Sequence, residues 1–547
     1  MSRLTSLMVV LTCVFGICAT GSGAKGDEIP QAAREVRAEA MRQNLDPDGR
    51  PLPMAAHWHS GGFPLSMQMK LIRGGHHIMP FVSWYTRAGS PPEGTRQLRK
   101  WNLPFAIIHG NQWLSRFRRK ARFKELSPEE SPLVLSRGGE KMDKISPFGP
   151  VQPWEDLGRM LANEAVIEDM QEAYPEPPLV LLVSNNESNR LDMARDDIEI
   201  SRRYLDLYGE GRSDTFKRRV LANGWIRRYR TLFQGIRDGL QEKGWKANSL
   251  IVPYGGGPGP THYGRPDAPI GDGGWRRWSL ATPSRLGWGY YAWEGAMGSY
   301  YDNDWESKQT MFNVWSDQTE FMNHVFQKED ALALNPDYWY ELIYWDGGAG
   351  KAEQYREKGL EPTTPARYRG WVQYGMWLLT PRVAREWESS TTHHSDYWHK
   401  MKEVIRAVDL VHADPTLKRF WRRGELVPNP NQDHPFQSDL IEKYKDEERW
   451  FRLETNRDPE RPWKFTTHLP VWPLARVIGK KPEREWLVYA HAPMGDKEDV
   501  GITIPGYDRK ITVDVSIGGS FYHVKESDDS VTEVGELSRV DVAPQDP

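Results

Sequence analysis

Two glutamates, Glu187 and Glu341, occupy positions from which paired carboxylates can do chemistry. Glu187 lies just beyond the run Leu179-Val-Leu-Leu-Val183. That run has no polar alternation and predicts a strand buried on both faces. It opens into Ser184-Asn185-Asn186-Glu187-Ser188-Asn189. In a parallel α/β sheet or barrel, binding groups collect at that end of the strand. A carboxylate half shielded from water there has a raised pKa and can act as a general acid. Glu341 lies inside a second strand candidate, Tyr338-Trp-Tyr-Glu-Leu-Ile-Tyr-Trp-Asp346. Its flanking tyrosines, Tyr340 and Tyr344, suit an ionised carboxylate held by phenolic hydrogen bonds. One protonated and one ionised carboxylate, meeting across a sugar, are the machinery of glycosidic bond cleavage. For an isolated Asn186-Glu187 a plain helix cap is the better account, and only the context favours chemistry.

Other residues join this set. Glu294, in Trp293-Glu294-Gly295, and Asp346 are rival partners for Glu187. His109, Asn111 and Trp113 follow an earlier strand candidate at the same end, where they would line a pocket, and Trp345 is a further substrate-binding candidate. His57-Trp58-His59 has metal-ligand spacing. No strand is read before it and no Asp/His set completes a site, so no metal is expected. The pairs His76-His77 and His393-His394 point apart on regular structure, which suits surface or structural roles. The basic run Arg116-Phe-Arg-Arg-Lys-Ala-Arg122 fits either sulfate or uronate groups of a substrate or a solvated helix face.

The elements that must position these residues read as follows. Residues 27–42 form an exposed charged helix, and 43–63 a loop. Strand candidates are 77–84, 103–109, 133–136, 179–183, 250–254, 289–294, 338–346 and 375–379. Helical stretches at 154–174, 214–243, 304–328 and 365–373 lie between them. Eight strands alternating with helices predict a (β/α)8 TIM barrel. The glycines Gly255-Gly256-Gly257 lack the Lys-Ser/Thr of a phosphate loop, so no nucleotide cofactor is expected. The expected division is a signal peptide at 1–24, the barrel with its N-terminal helix at 25–385 and an irregular helical region at 386–480. A C-terminal β-sandwich follows at 481–547, where period-two strands such as Ile511-Thr-Val-Asp-Val-Ser516 are separated by turn residues.

With Asn186-Glu187 closing strand four and a glutamate on strand seven, the chain resembles the clan A retaining glycoside hydrolases over roughly residues 75–385. The resemblance implies a (β/α)8 fold, Glu187 as acid/base and Glu341 as nucleophile. It also implies that Asn186 binds the hydroxyl beside the anomeric carbon. A strand-six tyrosine, Tyr290 or Tyr291, would orient the nucleophile, and Trp377 on strand eight would form the aromatic floor of the sugar pocket.

Composition frames the function. The 547 residues can bury a large core, and a net charge of -3 gives no basic field for nucleic acid. The 24 tryptophans suit stacking on sugar rings, although most must fill cores. Arg3, the apolar run from Leu7 to Ala19 and the small residues after it predict a secretory signal too short to span a membrane. Both cysteines, Cys13 and Cys18, lie within it, so an exported mature chain has neither disulfide nor thiolate chemistry. The expected protein is a secreted or periplasmic glycoside hydrolase acting on a polysaccharide or oligosaccharide, possibly an anionic one. The alternatives are an inert carbohydrate-binding barrel and a metal-dependent hydrolase using His57 and His59.

Overall fold

The computed structural model describes residues 28–57, 63–83, 90–109, 116–117, 119–184, 195–245, 249–253, 292–293, 325, 328, 332, 339–344, 364–386, 394–432, 448, 450–460 and 469–536. Among the described residues eight strands are parallel: β1 (Met54–His57), β2 (Phe81–Ser83), β3 (Phe105–His109), β6 (Val180–Ser184), β7 (Ser249–Pro253), β8 (Ala292–Trp293), β9 (Glu341–Tyr344) and β10 (Val383–Glu386). They form two sheets, β2-β3-β6-β7 and β1-β10-β9-β8. A parallel bridge between Ala55 and Ile78 joins the sheets. Around it the Ala55 N–H donates to His77 O, and the Met79 N–H donates to Ala55 O, each at 2.9 Å. The first and last of the eight strands pair directly, Met54 opposite Val383. The run read as a doubly buried strand behaves so: Val180, Leu181 and Leu182 are buried, as are Phe105, Ala106 and Ile107 of the neighbouring strand.

Three expectations are corrected here. Met54–His57 is a strand rather than loop. Its four residues become a strand only between β10 and the segment leading into β2. Residues 133–136 do not join the parallel sheets. Leu133–Leu135 (β4) pairs antiparallel with Lys141–Ile145 (β5) as a separate hairpin. Residues 375–379 are not the eighth strand. They end the helix Pro365–Leu379, and Val383–Glu386 is the strand. Twelve of that helix's 15 residues are buried, because it is sandwiched between two sheets. Burial all round erases the polar stripe that marks an amphipathic helix, and an apolar run then reads equally as a strand.

The helices pack closely where glycine permits. A Cβ on Gly158 would lie 2.2 Å from Leu232 O, and one on Gly235 would lie 2.4 Å from Glu155 O. Helices Gln152–Ala162 and Asp214–Glu242 therefore cross with their backbones in contact. Helix Gln31–Met41, expected to be exposed, buries Ala33, Val36 and Ala40.

The antiparallel part begins earlier than expected. Glu425–Leu426 (β11), Trp472–Ile478 (β13), Glu485–His491 (β14), Ser520–Lys525 (β17) and Val531–Val534 (β18) form one sheet, ordered β11-β13-β14-β17-β18. Glu454–Thr455 (β12), Lys497–Thr503 (β15) and Lys510–Val515 (β16) form a second, ordered β12-β15-β16. Period-two alternation decides which side each residue serves. Leu474, Leu487, Tyr489 and Phe521 join the core shared with the helices. Ala475, Trp486, Val488 and Ala490 face residues such as Val500, Ile502 and Ile511 of the second sheet. Residues 394–423, placed by sequence in an irregular region, are two regular helices, His394–Ala413 and Pro415–Arg423. Among the described residues no helix is long and apolar enough to cross a membrane.

Candidate functional site

The carboxyl ends of the parallel strands are His57, Ser83, His109, Ser184, Pro253, Trp293, Tyr344 and Glu386. His109 closes β3 opposite Ser184, at the strand end where the sequence placed it. Asn186, Glu187, Asn111, Trp113, Tyr290, Glu294, Trp345, Asp346 and the signal segment lie outside the described residues. By chain position, Glu187 comes three residues after β6, and Glu294 comes directly after β8.

Glu341 opens β9 rather than closing it, opposite Val383 of β10. Its carboxylate is clamped. Arg385 Nε donates to Oε2 at 2.8 Å and Nη2 donates to Oε1 at 2.9 Å. The Trp339 indole N–H adds a 3.3 Å contact to Oε1. Both members of the ion pair are 0% exposed. Arg385 Nη1 also donates to His57 O at 2.9 Å, tying the carboxyl end of β1 to the pair. The phenolic cradle expected around Glu341 is not what holds it. Tyr344 turns to the other face, where its hydroxyl donates to Val372 O at 2.7 Å and its ring meets Trp371 edge-on. Burial holds that phenol well above its ordinary pKa. Both carboxylate oxygens of Glu341 are therefore engaged by one guanidinium. A nucleophile needs one oxygen presented to the substrate.

Trp377, expected on the floor of the pocket, lies instead in helix Pro365–Leu379, fully buried against Trp421 and Phe521. Glu386, which sequence reasoning passed over, ends β10 and accepts a hydrogen bond from the Tyr368 hydroxyl. Its strand holds a charged pair after only two apolar residues, too weak a pattern to find. His57, the first member of the expected metal pair, does close a strand. It is buried beside Phe63 at 5.7 Å, while His59 lies outside the described residues. Two arginines of the basic run are already paired, Arg116 with Glu164 at 2.8 Å and Arg122 with Asp156 at 2.6 Å.

A second titratable cluster lies at the opposite, amino ends of β1 and β2. His76 and His77 do not point apart in effect, because both reach Asp409 of helix His394–Ala413. Their Nδ1 atoms lie 2.7 Å from Oδ2 and 2.8 Å from Oδ1 respectively. The His77 backbone N–H also donates to Oδ1 at 3.1 Å. His77 Nε2 faces Glu35 Oε2 of helix Gln31–Met41 at 2.7 Å. The rings of His77 and His412 stack 3.5 Å apart, 13° between their planes, and His412 Nε2 donates to Pro53 O at 2.9 Å. Burial opposes charge on His77, but hydrogen bonds to Asp409 and Glu35 outweigh it and push its pKa up to about 9. The hydrogen bond from His77 is the largest effect on Glu35 and brings its pKa down to about 2. Burial, then repulsion from charged His77, brings His412 down to about 3.

No family model matches the chain, and no curated protein matches it.

Proposed function

We propose that the eight parallel strands close into a (β/α)8 barrel and that the protein is an exported glycoside hydrolase of the two-carboxylate, retaining kind. The strand order supports the closure. It runs β8-β9-β10-β1, continues through the Ala55–Ile78 bridge to β2-β3-β6-β7, and so follows the chain order around a ring. The single observation that carries the reading is the place of Asn186-Glu187. They follow the carboxyl end of β6, the fourth of the eight strands in chain order. Two opposite errors in the sequence-based strand count, one strand missed and one false, leave that position unchanged.

Glu187 is the acid/base. The second carboxylate is assigned to Glu294, directly after β8, because Glu341 opens its strand and is neutralised by Arg385. Asp346, two residues past β9, is the alternative. The substrate is a polysaccharide or oligosaccharide. Retention requires the two carboxyl groups to stand roughly 5–5.5 Å apart.

The test uses a panel of aryl glycosides with the anomeric configuration of products read by NMR. Glu187→Ala should lose activity on unactivated substrates. It should recover turnover of a dinitrophenyl glycoside in azide, with a glycosyl azide as product. Glu294→Gln should abolish turnover, since no glycosyl-enzyme then forms. Full activity of Glu187→Ala on an unactivated substrate would end the reading. Full activity of Glu294→Gln would move the nucleophile to Asp346.

A further inference from the structure

In the cluster at the amino ends of β1 and β2, both ring nitrogens of His77 face carboxylates, Nδ1 toward Asp409 and Nε2 toward Glu35. The Nδ1 proton of His77 is committed to Asp409, which leaves Nε2 of the neutral ring as an acceptor. It faces another acceptor, Glu35 Oε2, at 2.7 Å. Two acceptors at that distance require a cation between them, and a proton is the smallest that serves. His412 adds a third donor atom to the same place. Its Nε2 carries a proton for Pro53 O, so Nδ1 is its lone-pair nitrogen. Among the described residues, Glu35, His77 and His412 are the one group whose ligand atoms all lie within 4.8 Å of one another.

We propose that Glu35, His77 and His412 form a divalent-metal site of the zinc type, with Asp409 as the positioning carboxylate that orients His77. Two imidazoles and one carboxylate make an N₂O set, completed to four by water, which suits zinc over magnesium or calcium. Asp409 stands where metal-binding histidines keep their orienting partner, on the ring nitrogen away from the metal. It accepts from the His77 ring and backbone N–H and from His76, so it is fixed. Glu35 is 37% exposed, which provides the entry path and room for the water. Coordination at about 2.0–2.1 Å draws the three ligands together and tilts His412 out of its stack on His77. The ion replaces the proton between His77 and Glu35, and that proton leaves to solvent. The site joins helix Gln31–Met41, the start of β2 and helix His394–Ala413, so its effect is on how the amino-terminal helix is held.

The experiment uses the full chain with no affinity tag, stripped with a chelator and titrated at pH 8 with Zn²⁺ alone. Calorimetry should show one ion per chain, and the unfolding temperature should rise with zinc. Co²⁺ in its place should give the visible absorption of a tetrahedral site. Glu35→Gln should abolish the cobalt spectrum. Asp409→Asn should weaken zinc about 10- to 100-fold, with circular dichroism confirming that both variants are folded. A Kd weaker than millimolar would overturn the proposal. So would binding unchanged by Glu35→Gln but lost in His59→Ala, which would put the ion at His57 and His59.

Discussion

The Arg385–Glu341 pair gives the sharpest separation of a structural from a catalytic glutamate. Both side chains are fully buried and make two hydrogen bonds of 2.8 and 2.9 Å to each other. Glu341→Leu alone removes the carboxylate that engages two nitrogens of the buried guanidinium, which costs about 3–5 kcal/mol. Arg385→Met alone strands the carboxylate and costs a similar amount. Arg385→Met with Glu341→Leu removes both charges, and such replacements range from neutral to stabilising by about 1–4 kcal/mol. Against that stands the lost bond from Arg385 to His57 O, about 1–3 kcal/mol for a buried carbonyl left unmatched. The double variant should therefore fall within about 2 kcal/mol of the parent, far from the sum of the singles. Urea unfolding of the four proteins, followed by tryptophan fluorescence, measures the cycle. Turnover of an aryl glycoside is measured on the same samples. The double variant should be stable and should keep activity. A cost below about 1 kcal/mol for Glu341→Leu would refute the clamp, since no buried cation could then have lost its partner. A stable but dead double variant would return the nucleophile to Glu341.

Gly370, in the middle of helix Pro365–Leu379, should not tolerate alanine. The new Cβ would lie 2.2 Å from His491 Nδ1 and 2.7 Å from Ile517 O, and a backbone oxygen cannot step aside cheaply. The overpacking cost of about 1–3 kcal/mol exceeds the helix gain of about 1 kcal/mol, so the unfolding temperature should fall; a rise would refute the contact. His491 itself sets an acid limit. Burial, then Arg367, pushes its pKa down to about 3 from 6.5. The folded form holds this ring neutral, so its contribution is fully present above about pH 6.5 and is lost as pH falls toward 3. The full shift amounts to ~5 kcal/mol. His491→Gln should flatten the stability profile between pH 6.5 and 3 relative to the parent, and parallel profiles would refute the assignment.

What the sequence determined by itself is the local part. The aliphatic runs at Phe105–His109, Val180–Ser184 and Ser249–Pro253 are strands because no polar alternation interrupts them, and parallel strands covered on both faces need none. The antiparallel sheets were legible for the opposite reason: Ile511, Val513 and Val515 are buried while Lys510, Thr512 and Asp514 are exposed. Both patterns are written along one stretch of chain. Tertiary structure decided whatever depends on partners remote in sequence. Met54–His57 is a strand only because Val383–Glu386 and the Ile78 segment lie beside it. Trp377 sits in a helix buried nearly all round because a sheet covers each side of it. Glu341 is a clamped anion because the register of β9 on β10 brings Arg385 within reach of both its oxygens. His77 shares Asp409 with His76, 332 residues along the chain. Charge, burial and hydrogen-bond partners are properties of that three-dimensional neighbourhood, and a residue's type and spacing do not fix them.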